Sequence, residues 1–379
     1  MTVSERIVRL CCRWLPAHLS DWGEAMAREA GSIERPVAAL SFAVGCVIWA
    51  AREAAAEALR QAMASGAGPI ERETMMTGQY GWRLRDLATV CGAVGTGMGL
   101  IYLSAAGAPA QLLTMNAAAL VAGLVLVLSL RGREPMDQPV VGPVTVAIGV
   151  ILMLTAALGE EASGARRWAS VAQVVLQPSL IGLPLLIVGF ARSRDALTAT
   201  GVVLAVVAMA WQPDRAMAAT LVAGIGAVAL ITRERLAIGL TGVALIGFAV
   251  ACLQPDVVPP TPFVDRVYRT ALSTGMVAGI AVWLGTAVLL APAVLGLARD
   301  RTNRVIYAAF GATWLTVVCA AIAGDYPTPL VGYGGSAIVG YLLATLALTL
   351  RERFPAATTA PEARPSGGSE ADALRAAAT

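Results

Sequence analysis

The chain contains no lysine and only one histidine. All 28 basic residues are arginine, and His18 lies near the N-terminus, far along the chain from the other polar motifs. Lysine nucleophiles and Schiff bases are therefore excluded, and a histidine-based triad or zinc site is not expected. The net charge of +3 gives no indication of a nucleic-acid partner.

Charged residues are also scarce. They make up 14% of the 379 residues, against 57% hydrophobic residues, and the mean hydropathy is +0.69. These values are typical of a polytopic membrane protein. The six cysteines, at positions 11, 12, 46, 91, 252 and 319, show no ligand or disulfide spacing and are interpreted as small apolar residues.

Charge-free windows recur from residue 87, and each supplies about 20 apolar residues or somewhat fewer, which is enough to cross a bilayer. The windows are 87–130, which holds two spans, 138–158, 169–190, 196–211, 216–231, 236–255, 270–298, 305–324 and 326–350. Only helices can cross lipid repeatedly without leaving backbone groups unpaired. The predicted fold class is therefore an all-α, polytopic transmembrane helix bundle with a ten-span core.

Arginines orient the bundle. Pairs of arginines occupy alternate short loops, which predicts that these loops face the cytoplasm. The loops 159–168, 212–215, 253–269 and 324–335 then face outward. Arg166 and Arg167 are the main exception to this charge rule, which favours a ligand on the outer face.

Three regions are expected. Residues 1–85 form an N-terminal extension with an amphipathic segment, a short apolar run at 37–51 and a polar tether. The run at 37–51 is marginal in length; we interpret it as one extra membrane helix, with an interfacial helix as the alternative. Residues 86–352 form the ten-span core, and 353–379 a disordered cytoplasmic tail.

Several polar motifs lie in the outward loops. On a short loop, Gly-Ala-Arg-Arg-Trp ends at Trp168; Gln177-Pro178-Ser179 and Gln212-Pro213-Asp214 follow, and Gly332-Tyr333-Gly334-Gly335-Ser336 comes last. Each alone has an ordinary structural explanation, such as a helix cap, a tight turn or helix packing.

The order and spacing of these motifs resemble the SEDS family (shape, elongation, division and sporulation). Its pattern is Gly-Ala-x-Arg-Trp, Gln-Pro-Ser-Glu, Gln-Pro-Asp, an outer-loop aspartate, and Ser-Tyr-Gly-Gly-Ser opening the last span. The resemblance covers about 86–352. The departures are polar positions: the family glutamate is Leu180, its lysine is Leu183, Gly-Thr is Ala216-Met217, and Glu-Glu is Ser273-Thr274.

The resemblance implies a glycosyltransferase that polymerises lipid II and releases undecaprenyl pyrophosphate. The family's catalytic aspartate corresponds to Asp265, which would take the proton of the acceptor 4-hydroxyl, and burial would raise its pKa. Arg266 and Arg269 beside it either bind the pyrophosphate or pair with Asp265. The implied substrate-binding residues are Arg166, Arg167, Trp168, Gln177, Ser179, Asp214, Tyr333, Gly334, Gly335 and Ser336.

No protein-bound metal is implied, although a divalent cation, Mg²⁺ or Mn²⁺, could assist at the pyrophosphate. The implied partners are lipid II, membrane lipid and a single-span transpeptidase (a class B penicillin-binding protein), in the bacterial inner membrane. Two interpretations stay open at this point: a divergent peptidoglycan glycosyltransferase of cell wall synthesis, division or shape, or a non-catalytic SEDS-like protein that binds a lipid carrier or regulates a cell-wall complex.

Overall fold

The computed structural model describes residues 73–130, 138–162, 164–171, 174–255 and 258–348, together with most of 3–53. The predicted tail at 353–379 and most of the predicted tether lie outside the described residues. The helices are α1 Val3–Cys11, α2 Ser20–Ser32, α3 Glu73–Ala105, α4 Ala110–Leu130, α5 Gln138–Leu158, α6 Pro178–Arg192, α7 Ala196–Trp211, α8 Arg215–Thr232, α9 Arg235–Leu253, α10 Val267–Thr274, α11 Met276–Arg299, α12 Arg304–Ala323 and α13 Gly335–Thr345. The strands are β1 Glu160–Ala162, β2 Ala165–Val171 and β3 Val174–Leu176.

Seven helices among the described residues are long and apolar enough to cross a membrane. They are α3, α4, α5, α8, α9, α11 and α12, with α3 counted from Leu84 and α5 from Val140. Three shorter apolar helices, Pro178–Arg192, Ala196–Trp211 and Gly335–Leu348, occupy the remaining predicted span positions. The protein is thus an all-α multi-pass membrane bundle, as the hydropathy pattern predicts.

Two predicted spans have different boundaries. The window 169–190 was expected to be helical throughout, but α6 begins only at Pro178, since the preceding residues form β2 and β3. These strands join β1 in a small antiparallel sheet with the order β1-β2-β3. The window 270–298 is divided at Gly275, whose φ of 150° ends α10 and starts α11. Glycine tolerates this conformation, which other residues rarely adopt.

Aromatic packing and close helix contact build the core. The rings of Phe310 and Trp314 of α12 meet that of Tyr341 of α13, with centroid distances of 5.4 and 5.1 Å. At Gly340 a Cβ atom would lie 2.0 Å from the carbonyl oxygen of Leu180. Only glycine lets the backbones of α6 and α13 approach this closely.

The two ends of the bundle carry different polar contacts. At one end, Arg194 pairs with Glu234 at 2.8 Å, and Arg192 donates to the carbonyl of Ala347 at 2.9 Å. These are residues of the arginine-rich loops that were predicted to face the cytoplasm. The motif-bearing loops contact one another at the opposite end, so the predicted alternation of loops agrees with the helix order.

The N-terminal segment has a small core of its own. Side chains of α1 and α2 pack with the described residues of the apolar run; the cluster contains Val8, Cys11, Ala27, Ala30, Ala43, Cys46 and Ala50. Several residues of 37–51 lie outside the described part of the chain. Whether this run crosses the membrane therefore stays a prediction, as does the division of the chain at residue 85, across which α3 continues.

Candidate functional site

The Arg-Arg-Trp motif lies on a strand and not, as the sequence predicted, on a loop. In β2 successive side chains point to opposite faces. Arg167 is consequently buried, whereas its neighbour Arg166 is exposed. Trp168 is half-buried and lies opposite Glu160 of β1. Strand alternation thus gives Arg166 and Arg167 different environments, whereas the sequence analysis treats the two arginines as one pair.

Arg167 binds main-chain oxygens. Its guanidinium donates to the carbonyl of Gln212 at 3.3 Å and to the carbonyl of Pro213. It therefore fastens the turn between α7 and α8 to the sheet. Arg166 donates to Glu161 at 3.0 Å and to the carbonyl of Ala157 at 2.8 Å. The role of both arginines as substrate ligands stays a prediction.

Four motif residues converge in a buried polar cluster. The Gln177 amide nitrogen Nε2 donates to Ser179 Oγ and to Asp214 Oδ2, both at 3.2 Å. The Gln177 backbone N–H donates to Ser336 Oγ at 2.9 Å. Asp214 also caps α8 by accepting from the backbone N–H of Met217 at 3.1 Å. The three motifs are far apart in sequence, and the fold brings them into one hydrogen-bonded group.

The Gly-Tyr-Gly-Gly-Ser turn is held by a residue that sequence reasoning missed. Asn116 of α4 is fully buried; it donates to the carbonyl of Gly332 at 2.9 Å and accepts from the N–H of Gly334 at 3.1 Å. The signal for it was an amide inside a long apolar window. Close approach was expected at Gly334, but a Cβ there would meet nothing nearer than 3.9 Å, and at Gly335 the nearest atom is Ala119 Cβ at 3.3 Å.

Asp265 lies where two outer segments meet. The Tyr333 N–H donates to the Phe263 carbonyl at 2.8 Å, and the Thr328 N–H to the Val264 carbonyl at 2.9 Å. These bonds fasten the segment before α10 to the turn before α13. Asp265 is therefore joined through this turn to the buried cluster that contains Ser336.

The carboxylate of Asp265 is only partly satisfied. Its Oδ2 accepts from the Thr261 N–H at 2.7 Å, whereas Oδ1 is buried without a hydrogen-bond partner. Burial raises the pKa of Asp265, which the Thr261 hydrogen bond lowers in part and nearby Asp325 raises further. The rise agrees with the direction expected of a general base in an apolar environment.

Arg266 and Arg269 were considered as ion-pair partners of Asp265, but they turn to Asp325. Arg266 makes a bidentate pair with Asp325, with its second bond at 2.6 Å. Arg269 donates to the Ala323 carbonyl at 2.7 Å and lies 3.9 Å from Asp325. Among the described residues, neither arginine forms an ion pair with Asp265. Both guanidiniums stay about half exposed.

A resident metal site is not evident in the part of the chain that the structure describes. No three His, Cys, Asp or Glu side chains lie together there. The available carboxylates are engaged separately: Asp214 in a helix cap and Asp325 with arginine. The residues present therefore do not fit a metal held by the protein alone.

Solved structures share this architecture. The chain is similar to the rod shape determining protein RodA of Thermus thermophilus, with 24% identity, a TM-score of 0.50, and coverage of 71% of this chain and 95% of RodA. The chain has the RodA fold. A mutant of the same RodA matches equally well. A structure described as coordinating polymerization and crosslinking in a peptidoglycan synthase complex also matches, with 24% identity, a TM-score of 0.50 and coverage of 70% and 96%.

No protein-family model and no curated protein matches the chain. The RodA likeness covers nearly the whole of RodA. The architecture predicted from the motifs is therefore confirmed as a fold.

Proposed function

We propose that this chain is a divergent SEDS protein that polymerises lipid II in the bacterial inner membrane. The observation that carries the proposal is Asp265: a carboxylate with one buried, unbonded oxygen and a raised pKa. It is joined by main-chain hydrogen bonds to the turn before α13. A carboxylate with these properties is suited to accept a proton from a substrate hydroxyl.

The reaction needs one proton acceptor and one stabilised leaving group. The oxygen of the acceptor 4-hydroxyl attacks C1 of the donor sugar, forming the new C1–O bond. Its proton passes to Asp265, while the bond from C1 to the pyrophosphate oxygen breaks. The pyrophosphate leaves with the electron pair, and the configuration at C1 is inverted.

Arg266 and Arg269 are the best-placed cations for the departing pyrophosphate. Arg266 directly follows Asp265, Arg269 lies four residues after it, and both guanidiniums are about half exposed. A guanidinium fork binds phosphate oxygens in the same bidentate way that Arg266 now binds Asp325. Arg167 would stabilise the site indirectly, by donating hydrogen bonds to the carbonyls of Gln212 and Pro213. A divalent cation, where one assists, would arrive with the pyrophosphate, because the described residues form no metal cluster.

A transpeptidase partner follows from the same function. We propose a single-span class B penicillin-binding protein as the partner. Support comes from the similar structure described as a complex that coordinates polymerization and crosslinking.

A non-catalytic SEDS-like protein is the second candidate, and a specific observation favours it. Leu180 and Leu183 replace the family's charged residues, and both are buried within the apolar core. Two positions that are charged in the family thus hold buried leucines that pack in the core. Such a protein would bind a polyprenyl-pyrophosphate-linked glycan, or regulate a cell-wall complex, without transferring sugar.

Incubation of the purified protein with labelled lipid II distinguishes these candidates. The glycosyltransferase proposal expects glycan polymer from the wild type, with and without Mg²⁺ or Mn²⁺ to test the cation, and none from Asp265→Asn. The non-catalytic proposal expects bound lipid II and no polymer from either protein. Polymer from Asp265→Asn at the wild-type rate would contradict the assignment of the base.

A further inference from the structure

Two buried oxygen atoms without hydrogen-bond partners belong to one junction on the outer face. They are Asp265 Oδ1 and Thr328 Oγ1. Thr328 is fully buried, and its N–H donates to the carbonyl of Val264, the residue before Asp265, at 2.9 Å. The hydroxyl therefore sits on the segment that is bonded to the catalytic segment.

An unbonded buried polar atom is costly. Leaving such an atom unsatisfied costs about 1–3 kcal/mol, and most buried polar atoms in folded proteins have a partner. A bound group that completes both oxygens would remove this cost. The carboxylate can only accept a hydrogen bond, whereas the threonine hydroxyl can donate or accept one.

Other unbonded buried atoms among the described residues lack this arrangement. Asn303 Oδ1 lies at the opposite end of the bundle, Trp314 Nε1 in the aromatic core, and Gln212 Oε1 on the turn held by Arg167. None of them adjoins a second unbonded oxygen on a bonded neighbouring segment. Among the described residues, the Asp265–Thr328 junction is the place where two unbonded oxygens belong to segments that are hydrogen-bonded to each other.

We propose that Thr328 is a substrate-binding residue that, together with Asp265, holds the acceptor 4-hydroxyl. The proposal rests on the proposed function. The acceptor O–H donates to Asp265 Oδ1, and the threonine O–H donates to the acceptor oxygen. Two hydrogen bonds fix the position of the attacking oxygen, so Thr328 acts on orientation while Asp265 takes the proton.

Thr328→Val tests the role of the hydroxyl, since valine keeps the shape and removes the polar atom. The protein loses no internal hydrogen bond, so the thermal midpoint should stay the same or rise. The binding of lipid II should weaken about tenfold, a typical effect of losing one hydrogen bond. Thr328→Ser, which keeps the hydroxyl, should restore binding. Thr313→Val is the matched control: it is equally buried, but its hydroxyl bonds to Ala309 within its own helix.

The binding comparison uses lipid II and an analogue whose N-acetylglucosamine carries no 4-hydroxyl. Wild type should prefer lipid II by more than about tenfold, because two hydrogen bonds are at stake, and Thr328→Val should keep only the smaller preference that the Asp265 bond supports. Equal binding of both lipids by wild type, no binding of either, or unchanged discrimination in Thr328→Val would overturn the proposal. Discrimination by wild type without polymer formation would refute the catalytic function and keep the hydroxyl site.

Discussion

Arg266 and Asp325 form a bidentate ion pair that joins the start of α10 to the end of α12, with bonds of 2.5 and 2.6 Å. The partner of Arg266 is 59 residues away, although Asp265 is its neighbour in sequence. The pair leaves Asp265 without a directly bonded cation. It also lowers the pKa of Asp325, because the Arg266 guanidinium stabilises the charged carboxylate. The pKa of Asp265 is thus raised and that of nearby Asp325 is lowered.

Asp265→Asn should abolish polymer formation without lowering stability. Loss of a general base costs about 10²–10⁴-fold in rate. The asparagine oxygen can still accept from Thr261, and no ion pair is broken. We expect the thermal midpoint of Asp265→Asn to equal or exceed that of wild type. A large fall in the midpoint, measured alongside polymer yield, would restore the ion-pair interpretation of Asp265.

The pH dependence of activity follows from the pKa of Asp265. Burial raises that pKa above its ordinary value of 3.8, so the acid limb of the rate profile should lie above the range of an exposed aspartate. The charged form is the one that burial disfavours. The stability that the raised pKa gives the protein is therefore present below the ordinary pKa and is lost as pH rises through the folded-state pKa. The midpoint difference between Asp265→Asn and wild type should grow over that window, whereas a pH-independent difference would contradict this prediction.

Arg167→Ala should destabilise the protein more than Arg166→Ala. Removal of the buried guanidinium leaves the carbonyls of Gln212 and Pro213 without their charged donor, and such hydrogen bonds contribute about 1.5–3 kcal/mol. Arg166 is exposed, and its ion pair contributes at most about 1 kcal/mol. Thermal unfolding in detergent and lipid II binding should be measured on the same samples. Normal stability with lost binding in Arg167→Ala would indicate direct contact with the substrate.

Gly340→Ala should be more damaging than Gly334→Ala. A methyl group at Gly340 would lie 2.0 Å from the Leu180 carbonyl oxygen, so α6 and α13 would have to separate. The same group at Gly334 meets nothing closer than 3.9 Å. Detergent-stable yield by size-exclusion chromatography gives the comparison. Equal yields would mean that the helix contact relaxes easily.

Membrane orientation can be tested with single cysteines in a cysteine-free background. Ala162→Cys, on the sheet, should react with an impermeant thiol reagent in intact cells. Ser193→Cys, between α6 and α7, should react only after permeabilisation. The unmodified cysteine-free parent is the blank. Labelling of Ser193→Cys, but not of Ala162→Cys, in intact cells would contradict the predicted orientation of the whole bundle.

The sequence predicted most helices because charge and apolar length are local properties. The window 196–211 has the same bounds as α7, and Asp195 supplies a capping box at the N-terminal end of that helix. The prediction of a helix over 169–190 failed at its start, because residues 169–171 and 174–176 belong to β2 and β3, which pair with each other. A short apolar run does not distinguish a strand from a helix. In the site, collinear motifs predicted which residues gather. They could not predict that Arg266 forms its ion pair with Asp325, or that the Thr328 hydroxyl has no hydrogen-bond partner, since both depend on tertiary contacts.

The contact of Gly340 with the Leu180 carbonyl has a consequence for turnover. Helices α6 and α13 touch backbone to backbone, so neither can slide past the other without a clash. Gln177 and Ser336, at the outer ends of these helices, are joined by a hydrogen bond that this contact holds in place. Under the proposed function, each cycle would release one polyprenyl pyrophosphate and admit a new lipid. The contact therefore predicts that this exchange does not involve sliding of α6 along α13.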